Sequence, residues 1–158
     1  MYLPKRRLAS NLVAIGAVAF AAACGSSSPS TPSPPTTTAT PAPVMTLVSQ
    51  GTSSDLLKNY THWQPFTTGS TGRIDVTVDW TYTTDAVKVL VATGNHTCYD
   101  GKYSDFSVCN VIASVSDSSK PKKLSLPGEP AGVYTLYVSN QGPDTEAIAW
   151  QVFVTTPG

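Results

Sequence analysis

The chain has 158 residues with ten basic and ten acidic side chains, a formal net charge of zero, and only three cysteines. Outside Lys5, Arg6 and Arg7, its one basic cluster is Lys120, Lys122 and Lys123 around Pro121. A nucleic-acid footprint needs a denser stripe of Lys and Arg, so nucleic acid is excluded as a partner class.

The first element is a short export signal. Lys5, Arg6 and Arg7 form a charged start, and Leu12 to Ala23 is an unbroken run of apolar residues and glycine. That run falls short of the roughly 20 residues a membrane-spanning helix needs, but it suits a secretory h-region. It ends in Ala21-Ala22-Ala23-Cys24, which resembles the lipobox of bacterial lipoproteins, with Ala21 where leucine is more usual. The resemblance implies that residues 1–23 are removed and that the Cys24 thiol receives a diacylglycerol. The alternative is an ordinary secretory peptide cut after Ala23, leaving Cys24 as a free thiol. Lipidation implies anchorage in a bacterial cell envelope, in the outer membrane by default where there are two membranes, because Gly25 rather than aspartate follows the cysteine. Loss of Lys5, Arg6 and Arg7 leaves seven basic against ten acidic side chains, a mature charge near −3. With Cys24 committed to lipid, Cys98 and Cys109 remain as an even pair for a disulfide, as an oxidising compartment favours.

Residues 25–43 contain six prolines, five serines and five threonines in 19 positions, with no charge. Such a segment cannot bury enough surface to offset its ordering entropy. Residues 24–43 are therefore expected to form a disordered tether, biased to polyproline II and reaching on the order of 50–60 Å.

Residues 44–158 have the length of one modest core. Their apolar period is two. In Ile74-Asp75-Val76-Thr77-Val78-Asp79-Trp80 every second residue is apolar, as in a strand with one buried face. Tyr134–Val138 and Ile148–Val154 repeat the pattern, and further strands are expected at Met45–Ser49, Asn59–Thr67, Ala86–Thr93, Ser107–Ser116 and Lys122–Leu126. Turn chemistry separates them, as in Gly94-Asn95 and Pro127-Gly128. About eight short strands without an amphipathic helix predict an all-β antiparallel sandwich. Trp80, Trp150 and Tyr134 fall on core positions. The last two strands are expected to pair as a hairpin, apolar on both faces. Val133, Tyr137, Ala149 and Phe153 on its second face would then need a cover, either Met45–Val48 or a partner protein.

Gly72-Arg-Ile-Asp-Val-Thr-Val-Asp-Trp80 with Asp85-Ala-Val-Lys-Val-Leu-Val91, and Ala131-Gly132-Val-Tyr134-Thr-Leu-Tyr-Val138-Ser-Asn140, resemble strands of the bacterial pre-peptidase C-terminal domain. The resemblance spans about Asn59 to Thr155. It implies a jelly-roll-like sandwich and a binding or accessory role rather than catalysis, although the segment from Cys98 to Cys109 departs from the family pattern.

The chemistry inventory is sparse. His62 and His96 are the only histidines, and no Gly-x-Ser-x-Gly elbow accompanies them. No zinc ligand set is spaced for closure. Asp75 and Asp79 share a strand face about 13 Å apart, too far for an inverting glycosidase pair, and are expected to solvate a sheet. Asp100, Ser104 and Asp105 offer hard oxygen to calcium, against the alternative of a hydrated loop. No other cofactor is implied. Tyr99, Tyr103 and Phe106, in the loop Cys98 and Cys109 would close, are the candidate ligand-binding residues, against the alternative of a satellite cluster capping the sandwich. The expected function is a non-catalytic envelope module that binds polysaccharide, peptide or a protein partner. The alternative is a small envelope enzyme or inhibitor with a loop-built site.

Cys24→Ala should leave an uncleaved precursor, and the native mature protein should partition with membranes until detergent is added. Recovery of mature protein in the soluble fraction without detergent would contradict the anchor.

Overall fold

The computed structural model describes residues 39–95 and 106–158. Eight strands are present: β1 (Val44–Leu56), β2 (Thr61–Thr68), β3 (Gly72–Trp80), β4 (Val87–Thr93), β5 (Val111–Val115), β6 (Lys122–Glu129), β7 (Gly132–Asn140) and β8 (Glu146–Thr156). They form two four-stranded antiparallel sheets. The first has the order β1-β8-β3-β6 and the second β2-β7-β4-β5. Only β4 and β5 are both consecutive and adjacent; every other connection crosses to the opposite sheet. This is the double winding of a jelly roll.

Alternation builds the core. Ile74, Val76, Val78 and Trp80 of β3 and Ile148, Trp150, Val152 and Val154 of β8 point inward from the first sheet. Phe66, Val87, Val89, Val91, Tyr134, Leu136 and Val138 answer from the second. Each such side chain contributes roughly 1.5–3 kcal/mol when fully buried. The Tyr134 hydroxyl donates to the Pro130 carbonyl at 2.6 Å, so its polar tip is satisfied inside the core. Trp80, Trp150 and Tyr134 are buried as their spacing requires.

The pairing of the last strands differs from the expectation. β7 and β8 lie in opposite sheets, facing each other across the core rather than forming a hairpin. Met45–Val48 does not cover a face either: β1 adds edge-on to β8, with Leu47 in register with Phe153 on the outer side. Tyr137 is covered by Phe106, which joins Leu90, Ala92 and half-buried Cys109 in a second cluster outside the second sheet. That cover explains why Val89-Leu90-Val91-Ala92 is apolar without alternation, since β4 is buried on both faces.

Strand bounds also moved: β6 runs through Pro127-Gly128, expected as a turn, to Glu129, and two other bounds have a clear local cause. β1 runs on to Leu56 through Gly51-Thr52-Ser53-Ser54, a stretch with turn composition, because Gly51, Thr52 and Ser53 pair with Trp150, Ala149 and Ile148 of β8 and, after an irregularity, Leu56 pairs with Glu146. β5 begins at Val111 rather than Ser107, since residues 106–109 close a turn in which the Cys109 N–H donates to the Phe106 carbonyl at 3.0 Å.

Gly51 is required by packing. A Cβ there would lie 2.4 Å from Cζ2 of Trp150, whose indole passes over the β1 backbone. Gly51→Ala should cost about 1–3 kcal/mol in chemical denaturation, the range for overpacking a filled core. The cost should shrink in a Trp150→Leu background, where the ring is gone; an equal cost in both backgrounds would remove the clash as its cause.

Candidate functional site

The sequence pointed to the loop bounded by the cysteines, and the structure describes only its downstream end. Cys98, Tyr99, Tyr103 and the oxygen set of Asp100, Ser104 and Asp105 lie outside the described residues, as does His96. Phe106 is 8% exposed, which corrects its assignment as a displayed ligand contact. Its ring meets the Tyr137 ring edge-on with centroids 5.2 Å apart, and the Lys88 ammonium stands 5.7 Å from its centroid. Burying this ring against Tyr137 removes more apolar surface from water than a hydrated loop position would. The satellite cluster is therefore the physical role of Phe106.

The other titratable candidates are also placed. His62 points inward from β2 and stacks on Trp150, with ring centroids 4.6 Å apart. Burial pushes its pKa below the ordinary 6.5, because a charged imidazole is poorly solvated there. Asp75 and Asp79 sit on the outer face of the first sheet. Asp75 accepts from Arg73 at 2.8 Å and from Ser125 at 2.7 Å, and Asp79 lies 3.6 Å from the Lys120 ammonium. The Lys120–Lys123 cluster does not act as one basic patch. Lys122 is buried, bonded to the Asp117 carbonyl and 5.3 Å from the Trp80 ring centroid, while Lys120 stands 5.6 Å from the same ring. Hydrogen bonds from Ser119, then from Lys122, hold the exposed Asp117 carboxyl below its ordinary range.

A concave surface that sequence patterning did not single out lies on the outer face of the first sheet. On β8, exposed Ala147 and Ala149 alternate with core residues, so the middle of the sheet is low. Register places Thr52 of β1 and Asp79 of β3 on either side of Ala149, and Gln50 and Thr77 on either side of Gln151. The result is a trough. Its central depression, about 470 Å³, is lined by Gln50, Thr52, Thr77, Asp79 and Gln151 around Ala149. A second depression of about 330 Å³ continues it past Ala147, sharing Thr52, Asp79 and Ala149 and adding Ser54 and Thr81. From Ala147 to Gln151 the floor is about 14 Å long at the usual strand rise.

The walls are hydroxyls, primary amides and one carboxylate. Among the described residues Asp79 is the only charged one that lines it, and the Asp79 Oδ1 also accepts the Trp80 N–H at 2.9 Å. Thr81 is fixed at the far end by reciprocal bonds with Ala147, whose N–H donates to the Thr81 hydroxyl at 3.1 Å. Such a surface can hydrogen-bond a neutral polar ligand in two directions at once. Among the described residues no group of three metal-ligating side chains converges.

No family and no curated protein matches the sequence. Among solved structures, the Yersinia pseudotuberculosis-derived mitogen is similar at 10% identity with a TM-score of 0.43, over 72% of this chain and 87% of that one.

His62 gives the site's neighbourhood an acid sensitivity. Its native pKa is lowered, so the unfolded chain binds more protons as pH falls below 6.5, and stability is lost in that direction. His62→Phe should flatten the fall in melting temperature between pH 7 and 5 relative to the native protein. Parallel curves would show that His62 does not titrate differently in the two states.

Proposed function

We propose that this chain is a lipid-anchored protein of the bacterial cell envelope that displays a non-catalytic sandwich as a binding module. Its contact surface is the trough over β1, β8 and β3, and its ligand is a neutral envelope polysaccharide. The trough carries the reading: an open channel floored by alanine and walled by Thr, Gln and Asp accommodates a linear chain and offers paired donors and acceptors to its hydroxyls. An anionic polymer would meet Asp79 and no free cation on the walls. A bound peptide strand would use a sheet edge, where backbone groups are unpaired.

The remaining parts of the proposal come from the sequence. Cys24 anchors the protein and residues 24–43 lift the domain clear of the membrane surface. Cys98 and Cys109 form a disulfide, a reading supported by Cys109 being disulfide-bonded. Kinship with the pre-peptidase C-terminal domain is supported by the strands that carry the resemblance, which are β3, β4 and β7 of a jelly roll. Tyr99 and Tyr103 are a second candidate contact.

Ala149→Arg fills the floor without touching the core. It should weaken binding of the mature protein to insoluble envelope polysaccharide at least tenfold in a co-sedimentation assay, with the melting temperature unchanged. Loss of binding instead in Tyr99→Ala/Tyr103→Ala would move the site to the cysteine-bounded loop. Binding to no polysaccharide by the native protein would refute the ligand class.

A further inference from the structure

At the end of the sandwich where the trough finishes, two carboxyls are buried side by side. Glu146 is fully buried and Asp85 is 4% exposed. They come from distant segments: Asp85 from the connection after β3, and Glu146 from the first position of β8. Among the described residues three ion pairs are present, and neither carboxyl belongs to one. The cost of burying two adjacent negative charges without a cation is high, and like charges at this range do not both ionise.

The donors around the pair show where a charge is held. Glu146 Oε2 accepts the Thr81 N–H at 2.7 Å and the Tyr82 N–H at 3.1 Å, and Oε1 lies 3.3 Å from the Tyr82 nitrogen. Asp85 Oδ2 accepts the Asp144 N–H at 3.2 Å. Asp85 Oδ1 is buried and receives no hydrogen bond from any N–H or hydroxyl. The group within hydrogen-bonding reach of Asp85 is the carboxyl of Glu146. Gly142 packs against Asp85 so closely that a Cβ there would lie 2.3 Å from the Asp85 Cγ.

We propose that Glu146 keeps a proton in the native protein and donates it to Oδ1 of Asp85, so that the two carboxyls form an acid-closed lock between the β3–β4 and β7–β8 connections. One proton satisfies the orphaned oxygen and removes one of the two charges. When it leaves to solvent, two buried anions face each other and the connections part. Desolvation, with the neighbouring Asp85 charge adding to it, raises the Glu146 pKa against the opposing pull of the Thr81 and Tyr82 N–H groups.

The sign follows from linkage. A native carboxyl with a raised pKa contributes stability that is complete below the unfolded value near 4.5 and is lost as pH rises through the native value. His62 acts in the opposite direction, losing stability toward acid. Other titratable or charged groups on the elements around the pair are Asp144, Tyr82, Asp79 with Lys120, whose ammonium donates to the Thr81 carbonyl at 2.9 Å, and Asp55 and Lys58 beside the β1–β2 turn. Comparing the native protein with Glu146→Gln cancels these, because glutamine keeps a donor for Asp85 and an acceptor for the two N–H groups while it cannot ionise.

The test uses the mature protein. The native melting temperature should fall relative to that of Glu146→Gln by roughly 5 °C as pH rises from 5 to 9. In carbon-13 spectra of the native protein the Glu146 carboxyl should titrate well above pH 4.5. Parallel melting curves for the two proteins, or a Glu146 carboxyl already ionised at pH 5, would overturn the lock. So would a rise in native melting temperature with millimolar calcium that Glu146→Gln lacks, since a cation would then replace the proton. Should Glu146→Gln fail to fold, the carboxyl titration of the native protein decides alone.

Discussion

The indole of Trp150 against the bare backbone of Gly51 fixes how the first sheet is assembled. β1 is an edge strand held by β8 alone, and its composition from Gly51 to Ser54 gives it little preference for a register. A slip of one residue would move every β1 side chain to the other face. It would also put Thr52 under the ring in place of glycine, where a side chain has no room. With Gly51 opposite Trp150, Gln50 and Thr52 must face outward beside Gln151 and Ala149. The trough is thus a consequence of a core contact. His62 of β2 packs against the same ring, so one residue of β8 contacts both β1 and the second sheet.

The trough and the core use one strand in two ways. β8 supplies Ile148, Trp150, Val152 and Val154 inward, where large side chains fill the sandwich. Outward it supplies alanines flanked by β1 and β3, where small side chains leave a channel. The period of two lets one strand serve both demands, since inner and outer positions can change independently.

The ends of the sandwich are held by polar groups rather than by more apolar surface. Asn140 is buried and donates to the Leu56 and Asp144 carbonyls while accepting from Gly142, linking the end of β1 to the β7–β8 connection. Glu146 and Asp85 secure the turn that follows β3. Lys122 places its ammonium against the Asp117 carbonyl and the Trp80 face, so its buried stem adds to the core while its charge stays partnered. Short loops crossing between sheets leave many backbone groups near the interior, and these side chains answer them.

Period-two alternation within β3, β7 and β8 was enough to make those strands and their buried faces legible in the sequence, because alternation is a local property of consecutive residues. The number of strands and the burial of Trp80, Trp150 and Tyr134 followed from the same signal. Pairing was not. β7 and β8 look like a hairpin because they are adjacent and apolar, yet the winding sends them to opposite sheets, and only long-range contacts decide that. Phe106 stands in a polar stretch that reads as an exposed loop, and its burial depends on Tyr137, which reaches it through a neighbouring strand. Asp85 and Glu146 are 61 positions apart and carry no motif. The trough needs Thr52, Asp79 and Ala149 side by side, a juxtaposition set by strand order and register, which no local sequence window contains.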